Sequence, residues 1–353
     1  MGGALSPPLR LAVLDQSPIP EGGTGAQALK NTIDLARLAE ELGYGRYWVT
    51  EHHGTPMLAC AAPEILIAAI AAATTRIRVG SGGVMLPHYS PFKVAETFSV
   101  LGGIHGKRID LGIGRAPGSD LETIAALQRD RRQLLPDDFP EQVDELLAYF
   151  EDGFPPEHPF ARLARLPGAP GTAEVWLLGS SAQSAVWAAE LGLPYSVADF
   201  INPAGAPAGL LYRERFTPAR RLKQPQVSVA VGVVCAETDE EAERHASSWR
   251  MAITLAERGQ FGPLPTVTKA LAFLAGEKGI DTFAGRRVVV GSPDTVRAVL
   301  EQITADYGAD ELMIHTLMHN HAARRRSYEL IAEAFGVRPK SLRAKTVKPA
   351  SLL

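Results

Sequence analysis

Short apolar runs alternate with longer stretches of helical spacing along almost the whole chain. Short runs that are apolar throughout predict strands buried on both faces, and a helix after each strand predicts that the strands are parallel. The predicted strands are 9–14, 47–50, 76–80, 108–114, 174–178, 195–198, 226–236 and 311–315. Eight strands, all but the sixth followed by a predicted helix, favour a single α/β fold, the (β/α)8 or TIM barrel.

Apolar residues at helical spacing predict the helices that separate these strands. They are 26–42, 63–74, 91–104, 120–134, 141–151, 181–191, 239–258, 293–307 and 322–335, with a shorter one near 269–275. The chain has 353 residues, enough for a barrel with insertions, and it shows no internal repeat and no linker. We therefore expect one barrel domain over residues 1–353, with terminal tails at 1–8 and 338–353.

One late stretch, 259–285, shows neither a strand pattern nor a helix pattern apart from the short helix predicted near 269–275. It is irregular, glycine and proline interrupt it repeatedly, and Phe261 and Leu264 give it an apolar tip. Segments of this kind act as lids that close over an active site and exclude water. We expect 259–285 to be an insertion that covers the pocket of a small-molecule substrate.

Charge and composition exclude several classes of protein. The formal net charge is -3, so no basic field would attract nucleic acid. The two cysteines, Cys60 and Cys235, are far apart in sequence, which favours a reducing compartment over a disulfide framework. The apolar stretch 61–73 is too short to cross a bilayer, and the N-terminus lacks a signal-peptide pattern. We expect a cytoplasmic protein without membrane contact.

The residues that directly follow the predicted strands are the candidates for chemistry, because barrel enzymes place their active sites in these loops. They are Glu51-His52-His53, Ser81-Gly82-Gly83, Gly114-Arg115, Gly179-Ser180-Ser181, Asp199 and His315. Since all of them follow strands of one barrel, we expect them to meet at the same rim.

Two of these groups suggest binding of a flat, phosphorylated ligand. Gly82 and Gly83 leave bare backbone at the end of the third strand, which permits either a strained dihedral or close approach of a ligand, although a tight turn alone would look the same. Arg115, together with Ser181 and Ser184 at the start of a helix, would form a phosphate clamp. For each serine, a simple helix cap is the alternative interpretation.

Two histidine groups suggest catalysis. His52 and His53 place a group that titrates near neutrality at the mouth of the barrel, and one of them would serve as general base or hydrogen-bond donor while the other packs. A purely structural role for both is the alternative. His315, His319 and His321 form a second group, for which we weigh a metal-dependent barrel hydrolase against solvated loop histidines. We prefer the second interpretation and assign no metal site.

Five segments resemble the bacterial luciferase-like monooxygenase family. They are WVTEHH at 48–53, RVGSGGVMLP at 78–87, GKRIDLGIGR at 106–115, the stretch 175–194 that ends in WAAELGLP, and VVGSP at 289–293. Each motif is short, but their order and spacing are specific. The resemblance covers residues 9–336.

The resemblance implies a (β/α)8 barrel that binds reduced flavin mononucleotide (FMN), which reacts with O2 to give a flavin peroxide that oxygenates a small organic substrate. It further implies that a separate flavin reductase supplies the reduced flavin. His52 matches the catalytic histidine of the light-emitting members and His53 its neighbour. Gly82-Gly83 matches a pair whose peptide is often cis and lies against the flavin ring. The implied cofactor-binding set is Ser81, Gly82, Gly83, Gly114, Arg115, Gly179, Ser180, Ser181 and Ser184.

Two departures from the light-emitting members bear on function. Gly114 stands where they have a reactive cysteine, and Ser180 stands where they have an acidic residue. We therefore do not expect light emission. The alternatives are a deazaflavin (F420)-dependent oxidoreductase of the same fold and a non-catalytic flavin-binding protein. A homodimer is expected through the helix at 63–74, which is rich in Ala and Ile on more than one face.

Overall fold

A computed structural model of the chain describes residues 9–115, 120–128, 138–151, 153–163, 166–167, 173–277 and 283–338. Its strands are β1 (Arg10–Asp15), β2 (Arg46–Val49), β3 (Arg78–Met85), β4 (Ile109–Gly114), β5 (Glu174–Gly179), β6 (Tyr195–Ala198), β7 (Val227–Cys235), β8 (Val288–Gly291) and β9 (Glu311–His315). Its helices are α1 (Gly25–Leu42), α2 (Pro63–Ala73), α3 (Pro91–His105), α4 (Leu121–Leu127), α5 (Phe139–Glu151), α6 (Ala182–Glu190), α7 (Ala206–Arg215), α8 (Asp239–Glu257), α9 (Val267–Gly276), α10 (Pro293–Tyr307) and α11 (His321–Ala334).

The strands form one parallel sheet that closes on itself. Their order is β6-β5-β4-β3-β2-β1-β9-β7, and β6 also pairs with β7, which completes a ring of eight. Helices separate consecutive strands and cover the outside of the ring. The predicted (β/α)8 barrel is therefore confirmed.

Strand β8 was not predicted from the sequence. β9 pairs with β7 only as far as His315 opposite Gly232, and β8 takes over as the neighbour of β7 from Gly232 to Cys235. β7 therefore continues past the barrel rim, and β8 adds a ninth strand outside the ring. Helix α7 was also missed, because prolines and glycines around its start suggest a loop.

Strand β3 is longer than predicted. It runs to Met85, so Gly82 and Gly83 lie inside the strand and not beyond its end. Gly82 pairs with Gly112 of β4, and the register shifts between Gly82 and Val84. The Gly82–Gly83 peptide is cis, as the family resemblance implies.

A charged and aromatic stack fills the barrel below its mouth. Arg46, near the start of β2, is buried and forms ion pairs with Asp110 and Glu311. Its guanidinium lies 4.4 Å from the ring centroid of Trp176. Trp48 meets Trp176 edge to face, with ring centroids 5.4 Å apart. These side chains satisfy and shield one another, and they fill the barrel interior directly beneath its mouth.

Several predicted segments extend beyond the described residues. Of the predicted helix 120–134, the structure shows α4, and 129–137 lie outside the described part. In the predicted lid 259–285, α9 is helical and 278–282 lie outside it. The same holds for the tails 1–8 and 339–353. The function of 259–285 as a lid and the single-domain boundaries stay predictions.

Within the described part of the chain, no helix is both long and apolar enough to span a bilayer. The cytoplasmic location stays a prediction.

Candidate active site

A cavity of about 520 Å³ opens at the carboxyl ends of the barrel strands. Each of the eight ring strands contributes to its lining. The lining residues are Leu14, Trp48, Gly82, Gly83, Met85, Gly114, Arg115, Leu178, Gly179, Ser180, Ser181, Gln183, Ser184, Ser196, Ala198, Phe200, Ile201, Ala230 and Met313. A volume of this size suits a ligand of cofactor or drug dimensions.

A second cavity of about 500 Å³ lies at the opposite end of the barrel, where Arg78, Lys107 and Glu174 line it. These residues stand before or at the beginning of strands. Barrel enzymes place their chemistry at the carboxyl ends of strands, so we assign the active site to the first cavity.

The predicted cofactor-binding residues meet in the first cavity, with one exception. Ser81 is fully buried, and its hydroxyl donates to the Gly112 carbonyl oxygen at 2.9 Å, which links β3 to β4. Its side chain is therefore engaged in the sheet. Gln183 lines the cavity but was not predicted. Its position between Ser181 and Ser184, in the first turn of a helix expected to bind phosphate, was the available signal.

The glycines of the cavity differ in what requires them. A Cβ on Gly82 would lie 2.5 Å from Leu14 Cδ1, and one on Gly83 would lie 2.7 Å from the Gly112 carbonyl oxygen. Close packing against backbone therefore requires glycine at 83, whereas a side chain at 82 would have to displace the end of the Leu14 side chain. A Cβ on Gly114 would have no heavy atom within 4 Å. Packing within the described structure does not require glycine at 114, and a side chain there would occupy space at the cavity wall.

Helix α6 points its first turn at the cavity. Ser181 is the N-cap, and its hydroxyl accepts from the Ser184 backbone N–H, while Ser184 in turn accepts from the Ser181 backbone N–H, each at 3.4 Å. The first N–H groups of any helix lack partners within the helix and carry a positive partial charge. Ser181 is exposed, whereas Ser184 is only 8% exposed. This end of the cavity is suited to an anion.

Arg115 strengthens this preference. It follows β4 and is exposed, and its guanidinium lies 5.8 Å from the ring centroid of Trp187 on α6. Among the described residues, no carboxylate forms an ion pair with it. Arg115 is also the only charged side chain among the described residues that line the cavity. Its charge is therefore available to a ligand.

His52 lies outside the cavity lining and is neutral at physiological pH. Its backbone N–H donates to the Cys60 carbonyl oxygen at 2.9 Å, and its Nδ1 lies 2.9 Å from Thr50 Oγ1. Burial, with an added contribution from His53, lowers the pKa of His52 from 6.5 to about 4. The lowered pKa of the half-buried His52 departs from the expectation of a group that titrates near neutrality, because partial loss of hydration disfavours the charged ring.

His53 is held by a buried carboxylate. Its Nε2 lies 2.7 Å from Oε1 of Glu51, which is fully buried. Glu51 also accepts hydrogen bonds from the Met85 backbone N–H at 3.0 Å and from the Tyr89 hydroxyl at 2.8 Å. This arrangement ties the loop after β2 to the end of β3. It agrees with a packing role for one histidine of the pair.

The three later histidines diverge. His315 is buried and its Nε2 lies 2.9 Å from Gln16 Oε1, whereas His319 Nε2 lies 3.1 Å from the Glu21 carbonyl oxygen and His321 Nε2 lies 2.8 Å from Asp34 Oδ2. In the described part of the chain, no group of three or more His, Cys, Asp or Glu side chains is arranged to hold a metal ion. The geometry therefore gives the hydrolase alternative no support.

His315 nevertheless lies directly behind the cavity wall. Its ring centroid is 4.8 Å from that of Phe200, which lines the cavity, and 5.0 Å from that of Trp249 on α8. Burial, followed by the nearby Arg324, lowers the pKa of His315 to about 3. It is therefore a neutral ring that supports Phe200.

Comparison with known proteins places this geometry in a family. The family model described as luciferase-like monooxygenase matches residues 9–311. The chain belongs to the luciferase-like monooxygenase family. The predicted membership and the predicted enzyme class, an oxidoreductase that incorporates molecular oxygen, are thereby confirmed.

Named members of the family align over nearly their full length. The chain is 39% identical over 326 residues to a luciferase-like monooxygenase of Escherichia coli strain K12, covering 91% of this chain and 96% of the relative. It is 36% identical over 336 residues to the N-acetyl-S-alkylcysteine monooxygenase of Bacillus subtilis strain 168, covering 92% and 98%. The crystal structure of apo-MsnO8 is 42% identical with a TM-score of 0.87, covering 94% and 99%.

More distant structures share the fold alone. One is the oxygenating constituent of 3,6-diketocamphane monooxygenase of Pseudomonas putida, a type II Baeyer–Villiger monooxygenase in complex with FMN, at 23% identity and a TM-score of 0.68, covering 95% of this chain and 99% of that one. Another is an F420-dependent secondary alcohol dehydrogenase at 13% identity and a TM-score of 0.65, covering 93% and 99%. The fold therefore accommodates both flavins and deazaflavins.

Proposed function

We propose that this protein is a monooxygenase that uses reduced FMN and O2 to oxygenate a small organic substrate. The observation that carries the proposal is the polarity of the cavity, which Arg115, the one charged side chain among the described lining residues, lines together with the first turn of α6. Bound reduced FMN would supply the electrons that activate O2. The family and its named members support the reaction class.

The polar end of the cavity fits a phosphate. Arg115 offers a guanidinium, Ser181 a hydroxyl, and the first turn of α6 its N–H groups. Charge-assisted hydrogen bonds of this kind are stronger than neutral ones, and helix N-termini bind phosphate widely. Gln183 adds a side-chain amide on the same turn. We assign Arg115, Ser181 and Gln183 to the phosphate end, together with Ser180, whose carbonyl oxygen accepts from Asn202 Nδ2 at 2.8 Å.

The remaining cavity fits a flat ring. Gly82, Gly83 and Gly114 expose backbone on one side, and Leu14, Phe200 and Met313 supply apolar surface. The open space beside Gly114 is a further fit, because any larger residue would narrow it. Apolar surroundings exclude water from the ring, which protects reactive species from hydrolysis.

We assign His52 to proton handling at the substrate side. It follows β2, whose Trp48 lines the cavity, and Thr50 Oγ1 fixes the orientation of its ring through Nδ1. With a pKa of about 4, His52 is a neutral imidazole at physiological pH. It therefore accepts or donates a hydrogen bond without carrying a charge, and His53 supports the loop through Glu51.

Substrate and partners belong to the same proposal. The Bacillus relative is named for N-acetyl-S-alkylcysteine, a thioether, so thioethers are the first substrate class to test beside aldehydes and ketones. We expect the reduced flavin to come from a separate reductase, since the described strands form a single barrel sheet and the cavity described above is already assigned to one flavin. A homodimer through α2 and α3 completes the proposal.

The test compares cofactors under defined conditions. Chemically reduced FMN should drive O2 consumption that increases with a thioether, aldehyde or ketone, and label from ¹⁸O2 should appear in the product. Reduced F420 is the parallel arm. Substrate reduction by F420 without incorporation of oxygen would instead establish the deazaflavin-dependent alternative. Tight FMN binding without any product across the panel would favour the non-catalytic flavin-binding protein.

A further inference from the structure

Three hydroxyl groups meet beneath the first turn of α6, at the edge of the cavity. They belong to Ser181, Ser184 and Tyr195, the last of which begins β6. The Tyr195 hydroxyl is buried and lies 2.9 Å from Ser184 Oγ and 3.3 Å from the Ser181 carbonyl oxygen. Gly179 packs against the group so closely that a Cβ there would lie 2.1 Å from Ser184 Oγ.

A count of donors and acceptors shows that Ser184 has nothing left for a ligand. Its hydroxyl donates to the Ser181 carbonyl oxygen at 2.8 Å. Its lone pairs face the Tyr195 hydroxyl at 2.9 Å and, at longer distances, the Ser181 hydroxyl at 3.3 Å and the Ser181 backbone N–H at 3.4 Å. A hydroxyl has one hydrogen and two lone pairs, so all three positions are occupied. Ser184 was expected from the sequence to contact phosphate, but in this geometry its hydroxyl stabilises the N-cap of α6 from within the protein.

The single proton of Ser184 fixes the direction of these hydrogen bonds. Because Ser184 donates that proton to the Ser181 carbonyl oxygen, Tyr195 is the donor in the 2.9 Å contact with Ser184 Oγ. Burial raises the pKa of Tyr195 to about 12, which keeps this hydroxyl protonated. Ser184 then accepts from Tyr195 and donates onward to the backbone of Ser181. The series ends on the N-cap, which presents the Ser181 hydroxyl and the N–H groups of Ala182 and Gln183 to the cavity.

We propose that Tyr195 is a positioning residue for the phosphate of the bound cofactor, acting through Ser184 on the N-cap Ser181. The inference rests on the proposed function, since it needs a phosphorylated flavin at this end of the cavity. Tyr195 does not line the cavity and does not touch the ligand. Hydrogen-bond donors that are fixed before binding lose less conformational freedom on binding. The hydrogen bonds from Tyr195 through Ser184 therefore strengthen binding of the phosphate specifically.

The experiment compares FMN with riboflavin, which lacks the phosphate, by calorimetric titration of three proteins. Tyr195→Phe should bind FMN about fivefold more weakly than the unmodified protein, the effect of roughly one hydrogen bond, and riboflavin equally well. Tyr212→Phe is the matched control. Tyr212 is fully buried 5.5 Å from the Tyr195 ring, and its hydroxyl donates to the Leu193 carbonyl oxygen at 2.8 Å, away from α6. It should leave both affinities unchanged.

Ser184→Ala is an independent test that remains available if Tyr195→Phe folds poorly. It should weaken FMN binding to the same extent as Tyr195→Phe does. The double variant should bind FMN no more weakly than either single variant, because both changes break the same series of hydrogen bonds. Unchanged FMN affinity in Tyr195→Phe, or equal loss of both flavins, would overturn the inference. An unmodified protein that binds FMN and riboflavin equally would instead reject the phosphate site itself, and with it the FMN assignment.

Discussion

Arg115 carries the charge on which the cofactor assignment depends. Arg115→Ala should weaken FMN binding by roughly 2 to 4 kcal/mol, because it removes a charge-assisted contact, and should leave riboflavin binding nearly unchanged. The measurement is again a titration with both flavins. Arg37→Ala is the control, since Arg37 is exposed on α1 and does not line the cavity. If Arg115→Ala still prefers FMN over riboflavin as strongly as the unmodified protein does, Arg115 does not hold the phosphate.

His52 should show its role in a pH profile. With a pKa of about 4, it stays neutral down to about pH 5, so product formation should not fall through the usual histidine range near 6.5. His52→Ala should lower the rate of oxygenation by about 10² to 10⁴ and leave FMN affinity intact. The measurement is product formed with supplied reduced FMN between pH 5 and 8. His319→Ala serves as the control, and a decline centred near pH 6.5 that disappears in His52→Ala would contradict the low pKa.

Single residues show where sequence analysis reaches its limit. Residue type and position after a strand were enough to predict a cofactor-binding set of nine residues, eight of which line one cavity. They were not enough to predict the hydrogen-bond state of Ser184 or the pKa of His52. Both depend on burial and on partners such as Tyr195, which are distant in sequence or unremarkable in pattern.

Whole elements were predictable where local signals agreed. The bounds of α10 match the prediction because Pro293 lies in the first turn and Gly308, at a φ of 55°, ends the helix. Strand β3 was predicted too short, because its glycines suggest a turn, yet β4 pairs with them through Met85. β8 is four residues long, and only the extension of β7 past the rim gives it a partner. In β3 and β8, pairing with a neighbouring strand outweighed the local sequence preference for a turn.

The helices α2 and α3 each expose large apolar side chains, and the proposed dimer would bury them. Ile65 and Ile104 are each 69% exposed, and Val100 is 45% exposed. We expect sedimentation at low micromolar concentration to show twice the mass of the 37.8 kDa chain. Ile65→Lys combined with Ile104→Lys should give monomers, since charges at an apolar interface lose hydration without gaining a partner.

The control for the dimer is another exposed apolar residue of the chain. Leu210, on α7, is 52% exposed, and Leu210→Lys should leave the sedimentation coefficient unchanged. A single 37.8 kDa species for the unmodified protein would show that α2 and α3 do not mediate pairing under these conditions.

At the scale of the whole molecule, the buried His315 and the half-buried His52 should make the fold sensitive to acid. His52 and His315 have pKa values of about 4 and 3 in the folded protein, below the ordinary value of 6.5. The unfolded chain therefore binds more protons, and the free energy of unfolding should decrease as pH falls below about 6.5, by at most about 1.4 kcal/mol per pH unit for each histidine. The decrease should end below the folded pKa values.

Urea unfolding at several pH values between 7 and 4.5 measures this slope. His315→Asn should reduce the slope of the unfolding free energy against pH between pH 6 and 4.5 by the contribution of one histidine. The variant has no imidazole ring to protonate at that position. His321→Asn is the half-buried counterpart, where Asp34 partners the ring, and should change the slope less. An equal slope for His315→Asn and the unmodified protein would show that His315 is not buried as a neutral ring.

The packed base of the barrel has a kinetic consequence. Arg46, Trp48 and Trp176 are almost fully buried beneath the cavity, so its floor is closed along the barrel axis through these residues. A ligand seated on that floor arrives and departs past the rim. If the proposed flavin lies lowest and the substrate above it, flavin would have to bind before substrate, and release would follow the reverse order. The substrate would then delay the departure of the flavin beneath it, and abundant substrate would slow turnover by retaining oxidised flavin.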